Sequence, residues 1–191
     1  SNPQVTIDGA GLSILTWQDN RSGSDYDIFA QRIDRAGQLQ WTPVGKSVSS
    51  APGQQYNPQL AAQGNSVFFT WQDRRGPDFD IYAQRFDLNG QPFWTPNGVQ
   101  VAALPADQII PQLSTDGLEG GIVAWADYHL GSGSTDLYAH RIGANGLPAG
   151  GCFRTFTQDS LSLKAVRFRT FRGIITGRPN PGNVRDSVFS R

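Results

Sequence analysis

One pattern recurs three times along this chain and limits its fold more than any other feature. Trp17, Trp71 and Trp125 stand 54 residues apart, each two residues ahead of an aspartate (Asp19, Asp73, Asp127). The first copy opens on Asn2-Pro3-Gln4, runs through Leu15-Thr16-Trp17-Gln18-Asp19 and Asp27-Ile28-Phe29-Ala30-Gln31-Arg32, and ends on Gly37 and Trp41-Thr42-Pro43. The second keeps the order as Asn57-Pro58-Gln59, Phe69-Thr70-Trp71-Gln72-Asp73, Asp80-Ile81-Tyr82-Ala83-Gln84-Arg85, Gly90 and Trp94-Thr95-Pro96. The third retains Pro111-Gln112, Val123-Ala124-Trp125-Ala126-Asp127, Asp136-Leu137-Tyr138-Ala139-His140-Arg141 and Gly146, but places Gly150 where Trp41 and Trp94 stood. Such a period marks supersecondary units that bury their apolar faces only by stacking.

Turn signals at Asp8-Gly9, Asn20 to Asp25 and Arg35 to Gly37 divide the first copy into four short runs rich in β-branched and aromatic residues. With 22 glycines, 12 prolines and Glu119 as the only glutamate, the composition favours turns over helices. The second run of each copy is apolar almost throughout, as in a strand covered on both faces. In the third run Ile28, Ala30 and Arg32 share one face and Phe29, Gln31 and Ile33 the other. The expected fold is all-β: a β-propeller-like array of three four-stranded antiparallel blades, incomplete as a ring, with a short β-strand tail. The blades cover about residues 2–55, 56–109 and 110–151, and the tail residues 152–191.

The combined string, W-x-D, then D-[IL]-[FY]-A-[QH]-R, then a glycine turn and W-T-P, resembles the propeller-type repeat modules of large secreted bacterial surface proteins. That resemblance covers residues 2 to 150 and implies an extracellular or cell-surface module without assigned chemistry. The aspartate box of sialidase propellers and the kelch and forty-residue blade signatures are missing from the sequence.

Three blades leave apolar faces and strand edges that need a partner. Residues 1–151 hold eight basic against fourteen acidic side chains and residues 152–191 eight against two, so the tail is drawn to the repeats. Val166, Arg167, Phe168 and Arg169 alternate as in a strand and are the candidate assembly contacts. The expected function is therefore a non-enzymatic structural or interaction module that assembles with copies of itself, or with other parts of a larger precursor, through blade edges and tail. The chain has zero formal net charge, no long apolar run and no basic-then-apolar leader, so neither nucleic acid nor a membrane span is expected.

Catalytic residues are expected once, whereas Asp19, Asp73 and Asp127, like Arg32, Arg85 and Arg141, come three times; within-blade ion pairs between the two sets are the simpler reading. Asp19, Asp25 and Asp27, and likewise Asp73, Asp78 and Asp80, surround one loop of their copy and offer oxygen ligands to calcium, although the spacing is not that of the twelve-residue calcium loop. No other cofactor is expected. Trp41 and Trp94, placed on outer strands, are the residues expected to stack on sugar rings if the module is a lectin. A fragment of a glycoside-hydrolase-type propeller is the remaining alternative, and a lone glutamate rules out a paired-glutamate site for it.

Overall fold

The computed structural model describes residues 1–128 and 135–149, together with the backbone of a strand at Phe153–Gln158. All its regular elements are strands, in three four-stranded sheets. The first contains β1 (Gln4–Ile7), β2 (Ser13–Asp19), β3 (Asp27–Ile33) and β4 (Lys46–Ser49). The second contains β5 (Gln54–Gln63), β6 (Ser66–Arg74), β7 (Asp80–Asp87) and β8 (Val99–Ala102). The third contains β9 (Gln108–Thr115), β10 (Gly121–Asp127), β11 (Thr135–Ile142) and β12 (Phe153–Gln158). Each is an antiparallel meander in chain order. The sheets are the expected blades, and the array does not close. The third blade takes its last strand from beyond residue 151, inside the segment read as tail. Val166 to Arg169 lie outside the described residues.

The sheets stack face on face, with first strands β1, β5 and β9 converging at an inner edge. Two apolar cores result. Between blades one and two, Ile14, Ile28, Ala30 and Val48 meet Phe69, Trp71, Tyr82 and Phe86. Phe68, Ile81, Ala83 and Val101 meet Val123, Trp125 and Ile142 in the same way at the second junction. Neighbours on both sides leave every residue of β6 from Ser66 to Asp73 buried, whereas β2 alternates: Ile14, Thr16 and Gln18 are buried, Leu15 and Trp17 only half-buried. Equivalent sequences thus differ in burial because, among the described residues, β6 has a sheet packed on each side and β2 on one side only.

Register explains each conserved position. Trp17, Trp71 and Trp125 lie opposite Phe29, Tyr82 and Tyr138 and stack on them at centroid separations of 6.3, 6.4 and 6.1 Å. Their indole N–H groups donate to Asp19, Asp73 and Asp127 at 2.8, 2.8 and 3.1 Å. Gln31 and Gln84 tie down the W-T-P turn: each accepts from the backbone N–H of Trp41 or Trp94 and donates to the carbonyl of Thr42 or Thr95. The turn ends on a glycine at positive φ, and a Cβ on Gly98 (φ 83°) would lie 2.5 Å from the Trp71 ring.

The expected ion pairs are corrected. Antiparallel register sets Asp19 opposite Asp27, and Arg32 opposite Ile14 at the far end of β2. Arg32 instead binds Asp8 in the β1–β2 turn (2.6 Å), Arg141 binds Asp116 (2.6 Å), and Arg85 donates to Ser66 Oγ. Asp19 and Asp73 pair with Arg21 and Arg75, two residues on.

Asn2, Asn57 and Ile110 occupy one bend in the inner strands at φ 52°, 53° and 56°. Asparagine tolerates this left-handed region, whereas a β-branched side chain is strained there. Ile110→Asn is expected to stabilise the fold by about 1 kcal/mol, read as a higher midpoint in urea unfolding.

Candidate functional site

Where the inner strands converge, amide side chains link one blade to the next. Gln18 Oε1 accepts from Asn2 Nδ2 (3.0 Å) and from the Asn57 backbone N–H of the second blade (3.0 Å). Gln72 Oε1 repeats this one blade on, accepting from Asn57 Nδ2 (2.8 Å) and the Ile110 N–H (3.2 Å). Asn2 Nδ2 also reaches Asn57 Oδ1 at 2.9 Å. This chain fixes the start of β5 and the loops around it.

Three aromatic rings lie on that rim. Tyr56, near the start of β5, stands between Tyr26 of the β2–β3 loop and Phe79 of the β6–β7 loop, with centroids 5.5 and 6.0 Å away. All three are half-exposed. Each is held by a hydrogen bond: Gln54 Oε1 accepts from the Tyr26 N–H (3.0 Å) and the Tyr56 hydroxyl (2.9 Å), and Asp107 Oδ1 accepts from the Phe79 N–H (2.9 Å). Asp25 and Asp78 brace the same connections, through Gln54 Nε2 (3.1 Å) and the Ala106 N–H (3.2 Å). The Arg74 guanidinium lies 5.2 Å over the Phe79 ring. The rings are tilted 46° and 51° to one another, and such an aromatic platform edged by carboxylate and amide groups suits a neutral, hydroxyl-rich ligand with apolar C–H faces.

Sequence reasoning did not single out this platform. The available signal was an aromatic residue directly before Asp27 and again before Asp80, with Tyr56 directly before the Asn57-Pro58-Gln59 bend.

The sites the sequence did single out fall elsewhere. Trp41 and Trp94 are each only 8% exposed and belong to the two inter-blade cores, their indole N–H groups donating to the carbonyls of Leu88 (3.0 Å) and Ala144 (2.9 Å). Their faces are covered by the next blade, so the sugar-stacking role passes from them. The calcium candidates do not converge either. Asp19 and Asp73 are held by tryptophan and arginine donors, Asp25 and Asp78 by amides. Among the described residues no three His, Cys, Asp or Glu side chains gather as a metal site. The hydrogen bond from Arg21 comes first in holding the Asp19 carboxyl down to about 2. Burial pushes Asp27 and Asp80 the other way, with Asp25 and Asp19 adding to it at Asp27 and Asp73 and Asp78 at Asp80.

No protein-family model and no curated protein sequence matches the chain. Solved structures do. The α-L-arabinanase of Penicillium chrysogenum, solved with arabinobiose, superposes with a TM-score of 0.56 at 11% identity, over 81% of this chain and 50% of its own. An endo-arabinase from Bacteroides thetaiotaomicron gives 0.52 at 15% identity, over 82% of this chain and 55% of its own. The chain thus spans about half the length of these structures, and the likeness is one of fold. It overturns the expectation of a non-enzymatic structural module that assembles through blade edges and tail, because the proteins that share the architecture are glycan-cleaving enzymes. Among the described residues no helix is long and apolar enough to cross a membrane.

Asp80 supplies a test of the site's electrostatics. Its raised pKa means that the folded chain holds the proton more tightly than the unfolded one, so ionisation at neutral pH opposes folding. Asp80→Asn keeps an acceptor for Gln100 Nε2, which donates to Asp80 Oδ2 at 3.2 Å. It is expected to raise the melting temperature at pH 7, the gain fading as the pH falls below the ordinary carboxylate range; an equal gain at every pH would disprove the assignment to ionisation.

Proposed function

We propose that this chain is the carbohydrate-binding sector of a glycoside-hydrolase-type propeller, working outside the cell, and that Tyr26, Tyr56 and Phe79 carry the sugar. The observation behind this reading is the platform itself: three half-buried rings in succession where the inner strands of two blades meet, Tyr26 and Phe79 held at their backbone N–H groups and Tyr56 at its hydroxyl. Sugar rings present C–H faces to aromatic side chains and hydroxyls to amides and carboxylates, and both partners are in place. The acidic rim of Asp25, Asp78 and Asp107 favours neutral glycans over nucleic acid. Fold neighbours that act on arabinan make arabino-oligosaccharides the first probe.

The role assigned to the platform itself is to hold the sugar. Asp25, Asp78 and Asp107 each brace a connection beside the rings, and Glu119 lies in the β9–β10 turn, at the other end of the inner strand from the platform.

Titration calorimetry with arabino- and xylo-oligosaccharides tests the reading. Tyr56→Ala is expected to weaken binding about tenfold, the equivalent of one stacking contact of about 1.4 kcal/mol, with Tyr26→Ala acting in the same direction and the melting temperature nearly unchanged. Absence of binding to every neutral oligosaccharide, or binding indifferent to both substitutions, would overturn it.

A further inference from the structure

Both junctions between blades are made by the same device. In the first, Trp41 of blade one lies on the glycine turn of blade two: its ring is 3.0 Å from where a Cβ of Gly90 would be, and its indole N–H donates to the Leu88 carbonyl. The second repeats this with Trp94 on Gly146 and the Ala144 carbonyl. Beside each seated indole, Arg32 or Arg85 reaches for the same carbonyl, at 3.4 and 3.2 Å. The strand tryptophan of the receiving blade is then closed off, Trp71 being 0% and Trp125 2% exposed.

Blade one has this seat too, and no described residue fills it. Its turn is built identically: Gly37 stands at φ 79°, against 75° and 77° for Gly90 and Gly146, and its N–H donates to the Asp34 carbonyl at the 3.0 Å found in the other two turns. Among the described residues beyond its own chain neighbours, no atom lies within 4 Å of where a Gly37 Cβ would stand. Arg35 occupies the position of Leu88 and Ala144. Next to it Leu15, Trp17 and Ile33 are half-exposed and line a shallow depression with Leu39 and Val44, while their counterparts Phe69, Trp71 and Phe86 are buried. Val5 and Ile7 continue the apolar surface to the inner edge, 65% and 66% exposed.

The geometry points to this face as the docking surface of one further four-stranded blade, whose W-T-P turn lays an indole on Gly37 and donates its N–H to the Arg35 carbonyl. The occupant comes from outside these 191 residues rather than from a second copy. Both indoles of this kind in the chain are already seated, and the third repeat has Gly150 at the position from which another would come. The superposed propellers also carry about as much chain again beyond the part matched here.

The test is a protein in which residues 56–108 are copied and joined directly to Ser1, which stands in its repeat where Tyr56 and Ile109 stand in theirs. Indole oxidation mapped by mass spectrometry is the readout. Trp17 is expected to be oxidised at least tenfold more slowly than in the parent chain, and changing the copied Trp94 to Ala should restore the parent rate. Gly37→Ala should lower the melting temperature of the extended protein by more than that of the parent, because strain at positive φ is common to both and only the extended protein loses a seated indole. Unchanged oxidation of Trp17, or an equal effect of Gly37→Ala in the two proteins, overturns the proposal. So does a parent chain that dimerises with Trp17 protected, which gives the surface to a second copy.

Discussion

A sheet whose two faces are both apolar is stable only when something lies against each, and here that something is the next sheet, keyed by tryptophan. Trp71 and Trp125 look back from their blades into the core of the preceding junction, while Trp41 and Trp94 look forward onto a glycine turn of the next. A buried indole takes some 150–250 Å² out of water, about 4–6 kcal/mol by area as an upper figure. Two of them interleaved across each junction outweigh any polar contact there. The aspartate two residues beyond each strand tryptophan satisfies the indole N–H where it passes out of the core, which is why W-x-D behaves as one unit.

The platform inherits its geometry from that stacking. Once the blade faces are locked together, the inner strands must converge, and Gln18 and Gln72 come within reach of the bend in the following blade. Tyr26 belongs to blade one, Tyr56 and Phe79 to blade two, so the row of rings exists only because the junction fixes the two blades against each other. A surface shared between repeats takes its order from the junction, together with the hydrogen bonds that Gln54 and Asp107 make to the loops carrying Tyr26 and Phe79, and pre-ordered faces hold ligands at low entropic cost.

The fold was legible because its periodicity is carried by large side chains with a single structural use. Trp, Gly and the D-I-Y-A-Q-R strand mark positions where substitution breaks packing, and each copy checks the others. The polar partnerships were less legible. Asp19 and Arg32 both recur in every copy, yet antiparallel register sends them to opposite ends of β2, and the true partner of Arg32, Asp8, has Gln63 at its place in the second copy, where Arg85 turns to Ser66. Trp41 and Trp94, expected on outer strands, sit instead in the β3–β4 and β7–β8 connections and are buried. Whether an indole there faces solvent or the neighbouring blade depends on the angle between sheets, which no single repeat encodes. The platform stayed hidden for a related reason: its rings come from three separate segments and meet only across a junction.

The third repeat shows which of these parts depend on one another. Its strand tryptophan and glycine turn, the parts that receive the preceding blade, are intact in Trp125 and Gly146. The parts that address a following blade change together: His140 replaces the glutamine that ties down the W-T-P turn, and Gly150 replaces the tryptophan that the turn presents. In the first two blades the glutamine holds backbone groups of that turn, the Trp41 or Trp94 N–H and the Thr42 or Thr95 carbonyl, so both third-copy changes fall on the same part of the repeat. They also give the array a direction. Its first blade keeps every element needed to receive a neighbour, and its third blade lacks the element needed to be received. Copies placed head to tail would therefore meet without the indole that keys both internal junctions.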